Sequence, residues 1–348
     1  MELSRRNFLG STLAAAGVAG LTAKPGLSSS QSMSGYKRGP LGKIVGELPS
    51  GRYDSHIHVF RHDEPDPERF KRELDGAGIS GCCLFSVPPT RSFPSDPAEA
   101  DPVWAMDNVI GWCGASPTYY PFYWINPLRS DACDLVDLAV KKGIYGFKVI
   151  RNEGKPCEGA AMKVYERIAG HGKPVTFHTG ILWDGLASSD NFRPVNWEPL
   201  VEIPHLRFAL CHISWPWCDE CIAVYGKLLN AIVKRGDKVP EMFIDTTPGT
   251  PRIYRRDALA KIYTIGYDIL DHIQFGTDCN VKKYGQTWCT DWMKTDDGIF
   301  GDLGLDAKIS DSYYRGSLQR YLFGGTGGVR NVPVPDGELG NRKASDVQ

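Results

Sequence analysis

The sequence of 348 residues has almost no net charge: 40 Lys and Arg stand against 41 Asp and Glu, a balance of -1. That balance removes the electrostatic argument for a polyanionic partner, and nucleic acid is not an expected ligand. No internal repeat is visible beyond an alternation of strand-like and helix-like segments. Long apolar runs are also missing. The most apolar N-terminal stretch, residues 9–23, is short and rich in Gly, Ala and Thr, which argues against a comfortable membrane span. What is present is 42% hydrophobic residues over a length that suits one barrel-sized domain with a substantial core, without room for a second large domain.

The first residues read as targeting. Ser4-Arg5-Arg6-Asn7-Phe8-Leu9 precedes the weakly apolar stretch and resembles a twin-arginine export signal, which implies the twin-arginine export machinery as a partner and a periplasmic or otherwise extracytoplasmic destination. The expected organisation is a signal segment at 1–33, a polar Gly/Pro-punctuated linker at 34–50, a barrel-sized domain at 51–326 and an unpacked polar tail at 327–348. Ten cysteines in an exported chain permit disulfides without establishing them. Cys82, Cys83 and Cys211 lie in apolar strand patterns and read as core thiols, whereas Cys218, Cys221, Cys279 and Cys289 are expected in loops at the domain's mouth.

Eight strand-like runs alternate with helical ones. The strands are expected at 52–60, 79–87, 120–125, 144–150, 174–178, 206–212, 241–246 and 273–278. Helices are expected at 66–77, 103–113, 131–142, 158–170, 219–235, 255–267 and 310–323, with long loops at 179–196 and 279–302. Such alternation predicts a parallel sheet, and a count of eight favours closure into a (β/α)8 TIM barrel of the α/β class.

Metal-seeking side chains sit at the strand ends. His56 and His58 project to one side of strand one, together with Asp54, because side chains alternate along a strand. His178 closes the apolar run 174–177, His212 closes 208–211 and Asp278 closes 273–277. The intervals between these positions correspond to roughly four, one and two strand-helix units of about 31 residues each, placing them on strands one, five, six and eight. Catalytic groups meet at that end of such a barrel, so a hydrolytic metal site is expected.

With these residues in view, the chain resembles the amidohydrolase superfamily, and within it the amidohydrolase-2 branch of single-metal enzymes, over about residues 51–326. The resemblance rests on His56-x-His58, His178, His212 and Gly276-Thr277-Asp278. It implies one divalent ion, Zn2+ first, held by His56, His58, His178 and Asp278, with His212 as the acid or base beside the reacting water. Asp278 would take that water's proton and pass it to the leaving group. The implied reaction is attack on an amide, ester or lactone carbonyl of a small molecule. Asp54 is expected to orient these groups by hydrogen bonding. Lys148, near the end of strand four, corresponds to a position that carries a bridging lysine in two-metal relatives. Here a neutral or anion-binding lysine beside one ion is expected. The last helix departs from the family pattern, with Gly316-Ser317-Leu318 before Tyr321-Leu322-Phe323.

Trp183, Arg193, Trp215 and Trp217 fall in loops after strands five and six and are candidates for stacking a substrate ring and pairing with a carboxylate. The aromatic mouth keeps a second reading open, a non-oxidative metal-dependent decarboxylase of an aromatic or enoic acid. A third is a barrel that binds metal or ligand without turnover. The sequence carries no signal of oligomeric state.

Overall fold

The computed structural model describes residues 46–61, 63–89, 100–151, 154–236 and 238–324. The proposed export signal and the C-terminal tail lie outside them. Strands β1 (Arg52–His58), β2 (Ile79–Phe85), β3 (Tyr119–Trp124), β4 (Gly146–Val149), β5 (Pro174–Phe177), β6 (Arg207–Leu210) and β7 (Glu241–Asp245) pair in sequence order, all parallel. These strands are buried almost throughout, which is why those after β1 read as apolar runs rather than alternating ones. The stretch 273–280 supplies both edges of the nine-stranded sheet: β8 (Ile273–Gln274) pairs with β7, and β9 (Cys279–Asn280) pairs with β1. Between them Ser55 N donates to Phe275 O and Asp278 N donates to His56 O, each at 3.0 Å. The sheet is therefore curled.

Helices α1 (Pro67–Gly76), α2 (Pro102–Cys113), α3 (Ala132–Lys142), α4 (Ala160–Gly170), α5 (Cys218–Arg235) and α6 (Arg252–Thr264) follow strands one, two, three, four, six and seven. Asp66 and Asp101 cap α1 and α2, each accepting a backbone N–H three residues on and each followed by Pro at the first helical position. Among the described residues no helix is long and apolar enough to cross a membrane.

Three expectations are corrected. Residues 279–302 are not one long loop: α7 (Gln286–Asp302) occupies most of them. Its buried positions Cys289, Trp292, Met293, Asp296, Ile299 and Phe300 have helical spacing, but a buried aspartate and the run Asp296-Asp297-Gly298 disguise it in the sequence. The single helix expected at 310–323 is divided into α8 (Ala307–Asp311), a wide helical turn at Ser312–Gly316 and α9 (Ser317–Phe323). The wide turn presents Tyr313 and Tyr314 to the core, where both are buried. Strand eight is also shorter than expected, because the chain leaves the ladder at Phe275 and rejoins it at Cys279.

The core has two parts. One lies between the sheet and the helices, and the other includes Tyr53, Phe85, Phe122 and Phe243 together with Leu318, Tyr321 and Leu322 of α9. Tyr321 packs on Phe122 and Phe243, and its hydroxyl meets that of Thr176 at 2.8 Å. Phe122 packs on Phe85, whose ring lies 4.7 Å from that of His56. The second core thus ends directly against the histidines.

Candidate metal centre

His56 is fully buried, and its orientation follows from its partners. Its Nδ1 faces Asp245 Oδ2 at 2.6 Å, so the ring donates there and leaves Nε2 with a free lone pair. That lone pair meets His58 Nε2 at 3.1 Å and Asp278 Oδ1 at 3.4 Å, and His58 Nε2 stands 3.1 Å from the same oxygen. Donor atoms around a tetrahedral ion with bonds of about 2.0–2.1 Å stand about 3.3 Å apart. The three measured separations match that spacing. This donor set therefore fits a divalent cation.

His178 and His212 form the adjoining pair, with His178 Nδ1 and His212 Nε2 at 3.2 Å. Among the described residues, the donor atoms within 4.8 Å of one another are those of His56, His58 and Asp278, and separately those of His56, Cys211 and His212. His178 touches His212 and lines the same cavity. Its Nε2 is buried without a hydrogen-bond partner, as is His58 Nδ1. The second triplet makes a poor cation site. His56 Nδ1, 3.7 Å from Cys211 Sγ, is already committed to Asp245, and burial pushes the Cys211 thiol well above its ordinary pKa.

Burial holds His56, His178 and His212 below the ordinary imidazole value, with the positive charge of Lys148 acting in the same direction. Neutral rings are what a metal-binding set needs. Partial desolvation would raise the Asp278 carboxyl, but the His58 hydrogen bond and the adjoining His56 and His212 rings hold it well below the usual carboxylate range. Asp54 lies behind the site. Its Oδ1 accepts the backbone N–H groups of His56 and Thr277 at 3.0 Å, and its Oδ2 accepts the hydroxyls of Thr277 at 2.6 Å and Tyr284 at 3.1 Å. Burial pushes it up to about 7 against these hydrogen bonds. It ties β1 to the segment carrying Asp278.

The backbone is strained where these groups emerge. His212 (φ 62°), Ile213 (φ 49°), Ser214 (φ 56°) and Asp278 (φ 56°) occupy the left-handed region, which side chains beyond Gly rarely adopt. Two glycines permit the close approach. A Cβ on Gly249 would lie 2.8 Å from His212 Cβ, and one on Gly276 would lie 2.9 Å from His56 Cβ and 2.5 Å from Thr247 Cγ2.

Lys148 is fully buried on β4, with Nζ 3.2 Å from Cys211 Sγ, 3.4 Å from His56 Nε2 and 4.9 Å from the Phe85 ring centre. Cys211 is therefore in contact with the site rather than a plain core thiol. The other mouth cysteines are on elements, not loops: Cys218 and Cys221 on α5, Cys279 in β9 and Cys289 on α7. All ten thiols are free.

A cavity of about 250 Å³ opens above the histidines. Trp183 lines it; among the described residues Arg193, Trp215 and Trp217 do not. Arg193 is held by Glu220 of α5 at 2.6 Å and lies over the Trp217 ring, while Trp215 packs near Tyr254. Two residues that the sequence reading passes over complete the site. Asp245 supports His56, and Thr247 Oγ1 meets His212 Nδ1 at 3.0 Å. Asp245 ends an apolar strand, as Asp278 does, and that signal was available.

No protein-family model matches the chain, and no curated protein matches it. Solved structures do. An amidohydrolase from Burkholderia multivorans superposes with a TM-score of 0.54 at 9% identity, over 79% of this chain and 99% of that one. Amidohydrolase 2 from Bifidobacterium longum subsp. infantis gives 0.49 at 14% identity, over 78% and 98%. A dihydroorotase from Campylobacter jejuni gives 0.49 at 10% identity, over 80% and 84%. The first likeness shows a shared fold, a curled parallel α/β sheet of the TIM-barrel kind. Its neighbours include amidohydrolase superfamily members.

Proposed function

We propose that the chain is a metal-dependent hydrolase of the amidohydrolase type, acting on an amide, ester or lactone carbonyl of a small molecule. The observation that carries this is the 3.1–3.4 Å triangle of His56 Nε2, His58 Nε2 and Asp278 Oδ1 at the cavity floor. His56, His58 and Asp278 would hold one divalent ion, with His178 as the fourth donor and Zn2+ the first choice. Such an ion supplies Lewis acidity, acidifying water and polarising a carbonyl oxygen. His212, neutral through burial and steadied by Thr247, assists beside the reacting water as acid or base, while Asp278 would take that water's proton and pass it to the leaving group. Asp54 and Asp245 hold the strand ends and the His56 ring in place. In this reading 273–280 is the eighth stave of a closed barrel, residues 51–326 form the catalytic domain, 34–50 a linker and 327–348 a tail.

Metal analysis of the purified protein tests it, with about one divalent ion per chain expected and its loss in His58→Ala. Undiminished activity in metal-free protein would remove the proposal. His212→Asn is expected to cut turnover by about 10²–10⁴ with the metal retained. The apolar cavity walls also suit an aromatic acid, so decarboxylation is the second reading; carbon dioxide release from such an acid would establish it. We also propose export by the twin-arginine route. Replacing Arg5 and Arg6 by Lys is expected to leave the protein in the cytoplasmic fraction, and unaltered export would exclude that route.

A further inference from the structure

The cavity offers a ligand few polar partners apart from the donor set itself. Beyond His56, His58, His178, His212 and Asp278, its walls are chiefly Phe60, Trp124, Ile150, Ile181, Leu182 and Trp183. Among the described lining residues none carries a hydroxyl or amide side chain, and Lys148 is the one Lys or Arg. A polyol brought here would find few hydrogen bonds to replace those its hydroxyls make with water, and a dianion would find a single Lys or Arg.

Size and rim point the same way. About 250 Å³ falls just below the range of roughly 300–1,000 Å³ usual for ligand cavities, which suits a compact molecule. Trp183 lines the cavity while 74% exposed, leaving much of its indole surface open. A flat ring stacked there would gain apolar burial together with aromatic contact. Outside the cavity, Leu186 follows β5, and Ile253 and Tyr254 begin α6 after β7. All three are exposed.

We propose that the cavity takes a compact, flat, largely apolar carbonyl compound with at most one negative charge, such as an aryl ester or a lactone fused to an aromatic ring, and that Trp183 determines this preference by stacking on the ring. The reaction rests on the hydrolase reading, whereas the ligand class rests on the cavity alone. In the hydrolysis of an aryl lactone, one water adds across the acyl C–O bond. Its hydroxyl bonds to the acyl carbon as that bond breaks, and its proton goes to the phenolic oxygen.

The experiment compares dihydrocoumarin with glucono-δ-lactone on the purified, metal-containing chain, and measures calorimetric binding of the two ring-opened products. Dihydrocoumarin is expected to be favoured by at least about 10²-fold in kcat/KM. Trp183→Ala is expected to raise its KM about threefold to tenfold, more than it lowers kcat. Binding of 3-(2-hydroxyphenyl)propanoate but not gluconate, with neither lactone opened, would uphold the ligand class while overturning lactone hydrolysis as the reaction. Equal or better turnover of glucono-δ-lactone would do the reverse. Binding of neither product would overturn the ligand class, and an unchanged KM in Trp183→Ala would overturn the role of that side chain.

Discussion

Asp245 sets which nitrogen of His56 faces the cavity. With Nδ1 engaged by a carboxylate at 2.6 Å, the ring turns one defined lone pair toward His58 and Asp278. Substituting Asn keeps the shape but removes the charge that favours the Nδ1–H tautomer. Asp245→Asn is therefore expected to weaken metal binding by about 10–100-fold, measured by chelator competition, and unchanged affinity would show that the contact does not orient the ring. At this scale the sequence was informative about chemistry. His56, His58, His178, His212 and Asp278 all line one cavity. Asp245 is marked by its place at the end of an apolar strand, but neither it nor Thr247 just beyond reveals from the sequence which neighbour it will face.

At the scale of elements, one network joins α6, α7 and the wide turn to the end of β7. Arg255 pairs with Asp296 at 2.9 and 2.7 Å, with both side chains fully buried, and donates to Thr246 O. The Tyr313 hydroxyl donates to Asp296 at 2.6 Å and meets Thr246 Oγ1 at 2.6 Å. Thr246 lies between Asp245 and Thr247, so this network anchors the backbone that supports His56 and His212. Asp296→Asn would leave the Arg255 charge buried without its counterion, and a loss of about 3–5 kcal/mol in chemical denaturation is expected. A loss below 1 kcal/mol would mean that water or another group replaces the carboxylate. The same network explains why α7 was misread as loop: the helix buries Asp296, and burial of a charge becomes intelligible only once Arg255 is beside it.

For the whole molecule, the buried histidines make stability depend on pH. In the metal-free chain His56, His178 and His212 are held below their ordinary value of 6.5 by burial. At these three rings the unfolded chain therefore binds protons first as pH falls, whereas Asp54, raised by burial to about 7, is protonated first in the folded chain and acts in the opposite direction. The rings' contribution to stability is complete above about 6.5 and is lost progressively below it. Denaturation of metal-free protein at pH 7.5 and pH 5.0 is expected to show a lower midpoint at the acidic pH. Equal midpoints would mean that the three rings together do not outweigh the opposing protonation of Asp54. Sequence alone determined the strand-helix alternation, the parallel order it implies and the ligand-type residues at strand ends, because side-chain periodicity and apolar runs are local properties. Only the tertiary structure decided that 273–280 spans both sheet edges, that α7 is a helix, that Asp245 and Thr247 serve the site, and that Trp183 rather than Arg193, Trp215 or Trp217 faces the cavity. Those outcomes depend on which distant groups meet in space, and no local pattern records that.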